Sequence, residues 1–133
     1  MPKLNDIAAS VSDAELEILR VLWETSPLSA QDLIERLEAE QPVSTHPKTV
    51  KTLINRLLKK GALGFHEKNR KYYYPTLDRD GFYAHKAERF IDKFFGGEVT
   101  PLLSFFSQRK KLNDKDRAEL KRLLQDLEDD DDK

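Results

Sequence analysis

The stretch STHPKTVKTLINRLLKK, Ser44 to Lys60, decides how the rest of the chain is read. Pro47 has its φ preset near the helical value and carries no N–H, so the pattern predicts a helix beginning there. Val50, Leu53, Ile54, Leu57 and Leu58 then recur at i, i+3, i+4, i+7 and i+8, which puts them on one face that packs into a core. The opposite face carries Lys48, Thr52, Asn55, Arg56 and Lys59, with Thr49 and Lys51 at its margins and no acidic residue among them. Basic groups on such a face pair with phosphates, while Thr, Asn and Arg near a helix start can hydrogen-bond base edges in a major groove. An ordinary solvated basic face has the same composition, so the flanking segments must separate the two readings.

Upstream, residues 1–11 read as a flexible arm. Ser12 and Glu15 form an S-x-x-E capping box, which satisfies two otherwise orphaned N–H groups and starts a helix running to about Glu24. Its apolar residues, Leu16, Ile18, Leu19, Val21, Leu22 and Trp23, cover a broad arc and mark it as a scaffold helix. Ser26-Pro27 breaks it, and Ser29 caps a second helix in which Ala30, Leu33, Ile34 and Leu37 repeat up to about Glu40. The other face of that helix is Gln31, Asp32, Glu35, Arg36 and Glu38, an acidic surface that should not lie flat on phosphate. Gln41 to His46 connects it to the helix at Pro47, giving the order of a helix-turn-helix unit.

Downstream, Gly61 is placed to end the helix in the left-handed region, and the period then switches from helix to strand. Leu63 and Phe65 alternate with Gly64 and His66, Glu67-Lys68-Asn69-Arg70 offers a turn, and Lys71-Tyr72-Tyr73-Tyr74-Pro75 forms a second strand. Asn69 tolerates the positive φ that a tight hairpin turn requires. Lys68, Arg70 and Lys71 then sit at the tip, within reach of a DNA backbone beside the groove. The three tyrosines read as sheet packing rather than as a base-stacking platform, which duplex readers rarely need. Three helices and a basic hairpin make residues 12–77 a winged helix-turn-helix DNA-binding domain. The net charge of −1 conceals this: between Ser44 and Pro75 eight basic residues face Glu67 alone, a local balance of +7.

Beyond Leu77 lie six of the seven phenylalanines. One helix is expected over about Asp78 to Phe95, ended by Gly96-Gly97, a short one from about Glu98 to Arg109, and a last one capped by Asn113. Tyr83, Phe90, Ile91 and Phe94 fall near one face of the first; Leu102 and Phe106 lie on the second; Leu120, Leu123, Leu124 and Leu127 form a stripe on the third. Helices this apolar in about fifty residues have little core of their own, so residues 78–128 are expected to pair with a second copy of the chain. Such an interface would bury on the order of 2,000 Å² or more. The alternative is that this region folds back on the winged helix. Residues 129–133, Asp-Asp-Asp-Asp-Lys, are expected to be disordered, as an acidic tail or a tag remnant matching an enteropeptidase site.

Several classes are excluded. The chain has no cysteine, so it has neither a disulfide framework nor thiolate metal sites. His46, His66 and His85 are dispersed, and no metal or other cofactor is expected. No apolar run nears the roughly 18–20 residues of a membrane span, and MPKLNDIAAS lacks a secretory core, so a cytoplasmic location is expected. No nucleophile, base and orienter cluster by spacing and no Gly-rich phosphate loop occurs, so the chain is not expected to be an enzyme.

The residues also carry a family resemblance. Ser12-Asp13-Ala14-Glu15-Leu16-Glu17-Ile18-Leu19 with Val21-Leu22-Trp23, then Pro47-Lys48-Thr49-Val50-Lys51-Thr52-Leu53, Arg56-Leu57, Lys59-Lys60-Gly61-Ala62-Leu63, the Tyr-Tyr-Tyr-Pro run and Phe94-Phe95-Gly96-Gly97 occur in an order and at intervals that resemble the penicillinase-repressor family of BlaI, MecI and CopY type. The resemblance covers about residues 10 to 125. It implies a homodimeric repressor that binds inverted-repeat operators in double-stranded DNA before β-lactamase or related resistance genes, released when a membrane sensor-protease pathway leads to cleavage. The family's scissile bond, between Asn and Phe, matches Phe105-Phe106 here, with Phe106 retained and the preceding Asn replaced. The cysteine-rich copper site of some members has no counterpart. His46 stands where the family usually has Ser, a weaker cap for the following helix.

The expected fold is therefore mainly α with a small β-hairpin wing, an N-terminal winged helix-turn-helix plus a C-terminal helical dimerisation region, and the expected function is transcriptional repression. A repressor controlled by a small ligand is the alternative within that class. A winged-helix protein-interaction module that binds no DNA is the alternative outside it.

Overall fold

A computed structural model describes residues 4–40, 46–109 and 112–131. Along the chain they form α1 (Leu4–Ser10), α2 (Asp13–Glu24), β1 (Leu28–Ser29), α3 (Ala30–Glu40), α4 (Pro47–Lys60), β2 (Leu63–Glu67), β3 (Lys71–Pro75), α5 (Arg79–Phe95), α6 (Val99–Arg109) and α7 (Asp114–Asp131). Two compact units divide the chain, residues 1–87 and 88–133.

The first unit closes a core from the apolar faces of α2, α3 and α4. Ile18, Leu19 and Leu22 meet Leu33, Ile34 and Leu37 and the predicted stripe Val50, Leu53, Ile54 and Leu57, all buried, with Leu58 packed at the edge. Each fully buried Leu or Ile contributes roughly 1.5–3 kcal/mol relative to exposure, so this three-helix contact dominates the unit's stability. The capping box at Ser12 is formed in both directions, Glu15 N–H donating to the Ser12 hydroxyl and Ser12 N–H to the Glu15 carboxylate. Antiparallel strands in the order β1-β3-β2 cover the core, with Phe65 opposite Tyr73 and Leu28 opposite Tyr73 on its other side. Tyr73 is buried, in keeping with a packing role for the tyrosines.

Four expectations are corrected. Residues 4–10 of the expected arm are helical: Ile7, Ala8 and Val11 are buried, and Ile7 reaches the end of α4 beside Gly61. The segment shows no strong cap in the sequence, and burial against α2 and α4 rather than local propensity orders it. Asn69 does not take a positive φ; the hairpin closes through Lys68 N–H donating to Arg70 C=O, which needs no left-handed residue. The domain boundary is not at 77/78, because the first turns of α5 belong to the first unit. Phe82 is 1% exposed and sits with Tyr83 against Trp23, at ring distances of 5.5 and 5.7 Å, and the Trp23 indole N–H donates to Leu77 C=O at 2.9 Å. The acidic tail is not irregular at its start, since α7 continues through Asp131; each further residue of a nucleated helix adds a hydrogen bond. Residues 41–45 of the predicted turn and residues 132–133 of the tail lie outside the described residues.

In the second unit the helix boundaries follow local signals. Gly96 and Gly97 both adopt left-handed φ, 59° and 84°, and Gly97 N–H donates back to Ile91 C=O, so α5 ends on residues that need no Cβ. Asn113 caps α7 through Asp116 N–H at 2.7 Å.

Candidate nucleic-acid interface

The two ends of α4 are set by its own residues. His46 Nδ1 accepts from Lys48 N–H at 3.1 Å, so the imidazole does the work that Ser would do and the helix starts at Pro47 as predicted. Gly61, at φ 82°, ends it with its N–H on Leu57 and Leu58 carbonyls. Because Val50, Leu53, Ile54 and Leu57 are drawn into the core, the remaining face turns outward as one surface. Lys48, Thr49, Lys51, Thr52, Asn55, Arg56 and Lys59 are all exposed, and no acidic residue stands among them. Thr52 uses its hydroxyl proton on Lys48 C=O at 2.9 Å, leaving its lone pairs and methyl group to face outward. It can therefore accept from a base amino group or touch a thymine methyl.

Lys60, counted in the basic segment, is diverted inward. Its ammonium meets both oxygens of Glu15 at 2.5 and 2.9 Å and also Ser10 C=O. Glu15 is 1% exposed. Burial pushes its carboxyl up, but the hydrogen bond from Lys60, those from the Ser12 backbone and hydroxyl and the Lys60 charge outweigh it and hold the group below the ordinary carboxylate value. The pair ties the end of the presented helix to α1 and to the start of α2.

Lys68, Arg70 and Lys71 of the hairpin are exposed. Arg70 and Lys71 line one concavity with Lys51 of α4, with Ser29, Ala30 and Gln31 at the start of α3, and with Tyr73. The sequence places Gln31 on an acidic face, but the start of α3 lies beside the wing because β1 pairs with β3. A two-residue strand leaves no readable period, so the sequence held no signal for this approach. Ser29 N–H and hydroxyl are exchanged with Asp32, which fixes that helix start. Cations of α4 and of the hairpin thus share one concavity with the start of α3.

The residues expected at a dimer interface divide. Tyr83 belongs to the first unit. In the second unit Phe90 and Phe94 touch, ring centroids 5.1 Å apart, and Phe106, Leu120 and Leu123 line one apolar concavity with Leu103 and Leu112. Ile91 and Leu102 are half-buried, while Leu124 and Leu127 are exposed. Phe105 and Phe106 sit mid-helix in α6, rings edge to face at 5.7 Å.

This geometry can be set beside known proteins. The Penicillinase repressor family model matches residues 11–126. A penicillinase repressor of Bacillus licheniformis is 32% identical over 117 residues, spanning 87% of this chain and 90% of that protein. The methicillin resistance regulatory protein MecI of Staphylococcus aureus (strain N315) is 30% identical over 115 residues, spanning 86% and 92%. Among solved structures, that of hsRosR-S4 agrees in fold with a TM-score of 0.55 over 93% of this chain and 95% of that one, at 18% identity. With the match running from the capping box of α2 through most of α7, this chain belongs to the penicillinase repressor family.

Proposed function

We propose that this protein is a homodimeric transcriptional repressor that lays α4 in the major groove of inverted-repeat operators, with its wing on the adjacent backbone, before β-lactamase or related resistance genes. The observation that carries this reading is the exposed, acid-free face of α4, whose Lys51 shares one concavity with the wing cations Arg70 and Lys71. Thr52, Asn55 and Arg56 read base edges; Lys48, Lys51, Lys59, Lys68 and Arg70 neutralise phosphates. Dimerisation is supported by the second unit, in which no described side chain is buried and Phe90, Phe94, Leu123, Leu124 and Leu127 are between 47% and 62% exposed. Each half-site supplies part of the affinity, so pairing of two copies is what makes operator binding tight. No described helix is long and apolar enough to cross a membrane; release would come through a separate membrane sensor-protease pathway. Cleavage at Phe105-Phe106 would end repression by cutting α7 from the DNA-binding half, after α6 opens locally.

The test is a gel shift with promoter fragments from the source genome, compared with random duplex. Thr52→Ala and Arg56→Ala should each lower the preference for operator by roughly 1–3 kcal/mol, whereas Lys68→Ala and Arg70→Ala should weaken all duplexes alike and flatten the salt slope by about 1 per lost phosphate contact. Equal losses on operator and random DNA for the α4 variants would remove base reading from that face. Absence of any shift would favour a protein-interaction module. Intact-mass measurement before and after β-lactam exposure tests release: a chain that stays whole while its target genes switch on excludes cleavage as the inducing step.

A further inference from the structure

Phe65 is the one phenylalanine outside the C-terminal half, and at 41% exposed it is not a core residue. Its ring lies against Tyr73 on the neighbouring strand, centroids 6.3 Å apart, and the Lys71 ammonium sits over it at 4.7 Å from the centroid. Directly across the ladder from Lys71 is Glu67, the partner expected for a cross-strand ion pair. Among the described residues that pair is not formed. The difference matters for binding a polyanion. A carboxylate would hold the ammonium but cancel its charge, and a phosphate would then have to break the pair. An aromatic face holds a cation through its quadrupole and leaves the net charge intact.

We infer that Phe65 is a positioning residue for DNA binding: buried Tyr73 packs against its ring, and the ring holds the Lys71 ammonium out of an ion pair with Glu67, at the concavity shared with Lys51, Arg70 and Gln31. This rests on the reading of that concavity as a phosphate-facing surface. A flexible lysine otherwise loses rotamer freedom when it engages a phosphate, and the preset geometry removes part of that cost. Phe65 itself need not touch the DNA.

The test is a double-mutant cycle on the full chain, read by fluorescence anisotropy with a random-sequence 30-base-pair duplex across a salt series. Lys71→Ala should weaken binding and lower the salt slope by about 1. Phe65→Leu removes the π face while keeping every cation, and should weaken binding about two- to fivefold. Phe65→Tyr, which retains the π face, should bind as the parent does. In the Lys71→Ala background Phe65→Leu should add nothing. A Phe65→Leu loss of the same size with and without Lys71, or no loss at all, overturns the inference, as does a Lys71→Ala variant that binds like the parent. If the parent chain itself fails to bind any duplex, the DNA-binding reading falls and this inference falls with it.

Discussion

The two units use apolar residues in opposite ways. In residues 1–87 the large side chains converge: Leu33, Leu57, Ile18 and Phe82 are all at or below 1% exposure, and even the charged Glu15 is enclosed, paired with the half-buried Lys60. In residues 88–133 the apolar content is comparable to the eye, but it is spread over single helix faces, and Phe94, Leu124 and Leu127 stay more than half exposed. A domain that has closed its core is stable as a monomer; a set of helices that presents half a core is stable only when another surface completes it. We propose that DNA reading and oligomer formation are thereby separated along the chain, so that substitutions should report on one or the other.

The sharpest way to break this contrast is to remove one large side chain from each unit. Phe82→Ala empties a fully enclosed site and should cost about 3–5 kcal/mol in unfolding of the DNA-binding unit, measured by chemical denaturation. Phe94→Ala, on an open face, should leave that transition unchanged and weaken only self-association. Equal destabilisation of one transition by both would mean that the units share a single core.

Leu123→Asp sharpens the second half. An unpaired carboxylate in an apolar interface costs several kcal/mol, so sedimentation at micromolar concentration should show monomer in place of dimer, and operator affinity should fall with it. A parent chain that is monomeric and still binds an inverted repeat tightly would contradict the half-core interpretation.

A smaller effect distinguishes how the first unit positions its helix. Glu15→Gln leaves the capping box but removes the charge that Lys60 meets, and should cost about 1–3 kcal/mol. The carboxyl of Glu15 is held below its ordinary value, so its contribution is complete above about pH 4.3, the usual glutamate value, and is lost as pH falls through the lower folded value. The gap in melting temperature between parent and Glu15→Gln should therefore be widest near neutrality and close in acid. A gap independent of pH would show that the ion pair contributes nothing to folding.

Much of the architecture was legible from short-range signals. Ser12 with Glu15, Pro47, Gly61, the Gly96-Gly97 pair and Asn113 each act on backbone groups within one helical turn, so the helices they bound lie within a residue or so of where the pattern puts them. The outward face of α4 was legible for the same reason, since a 3.6-residue period places side chains without knowledge of what they pack against. What only the tertiary structure decided involves partners far apart in the chain. Lys60 is withdrawn from the basic surface by Glu15, 45 residues earlier; Trp23 recruits the start of α5 through Leu77, 54 residues later; β1 brings Gln31 beside the wing; α1 orders on a surface built by α2 and α4. None of these leaves a local period or cap, because their energies come from burial and pairing that exist only once the core has closed.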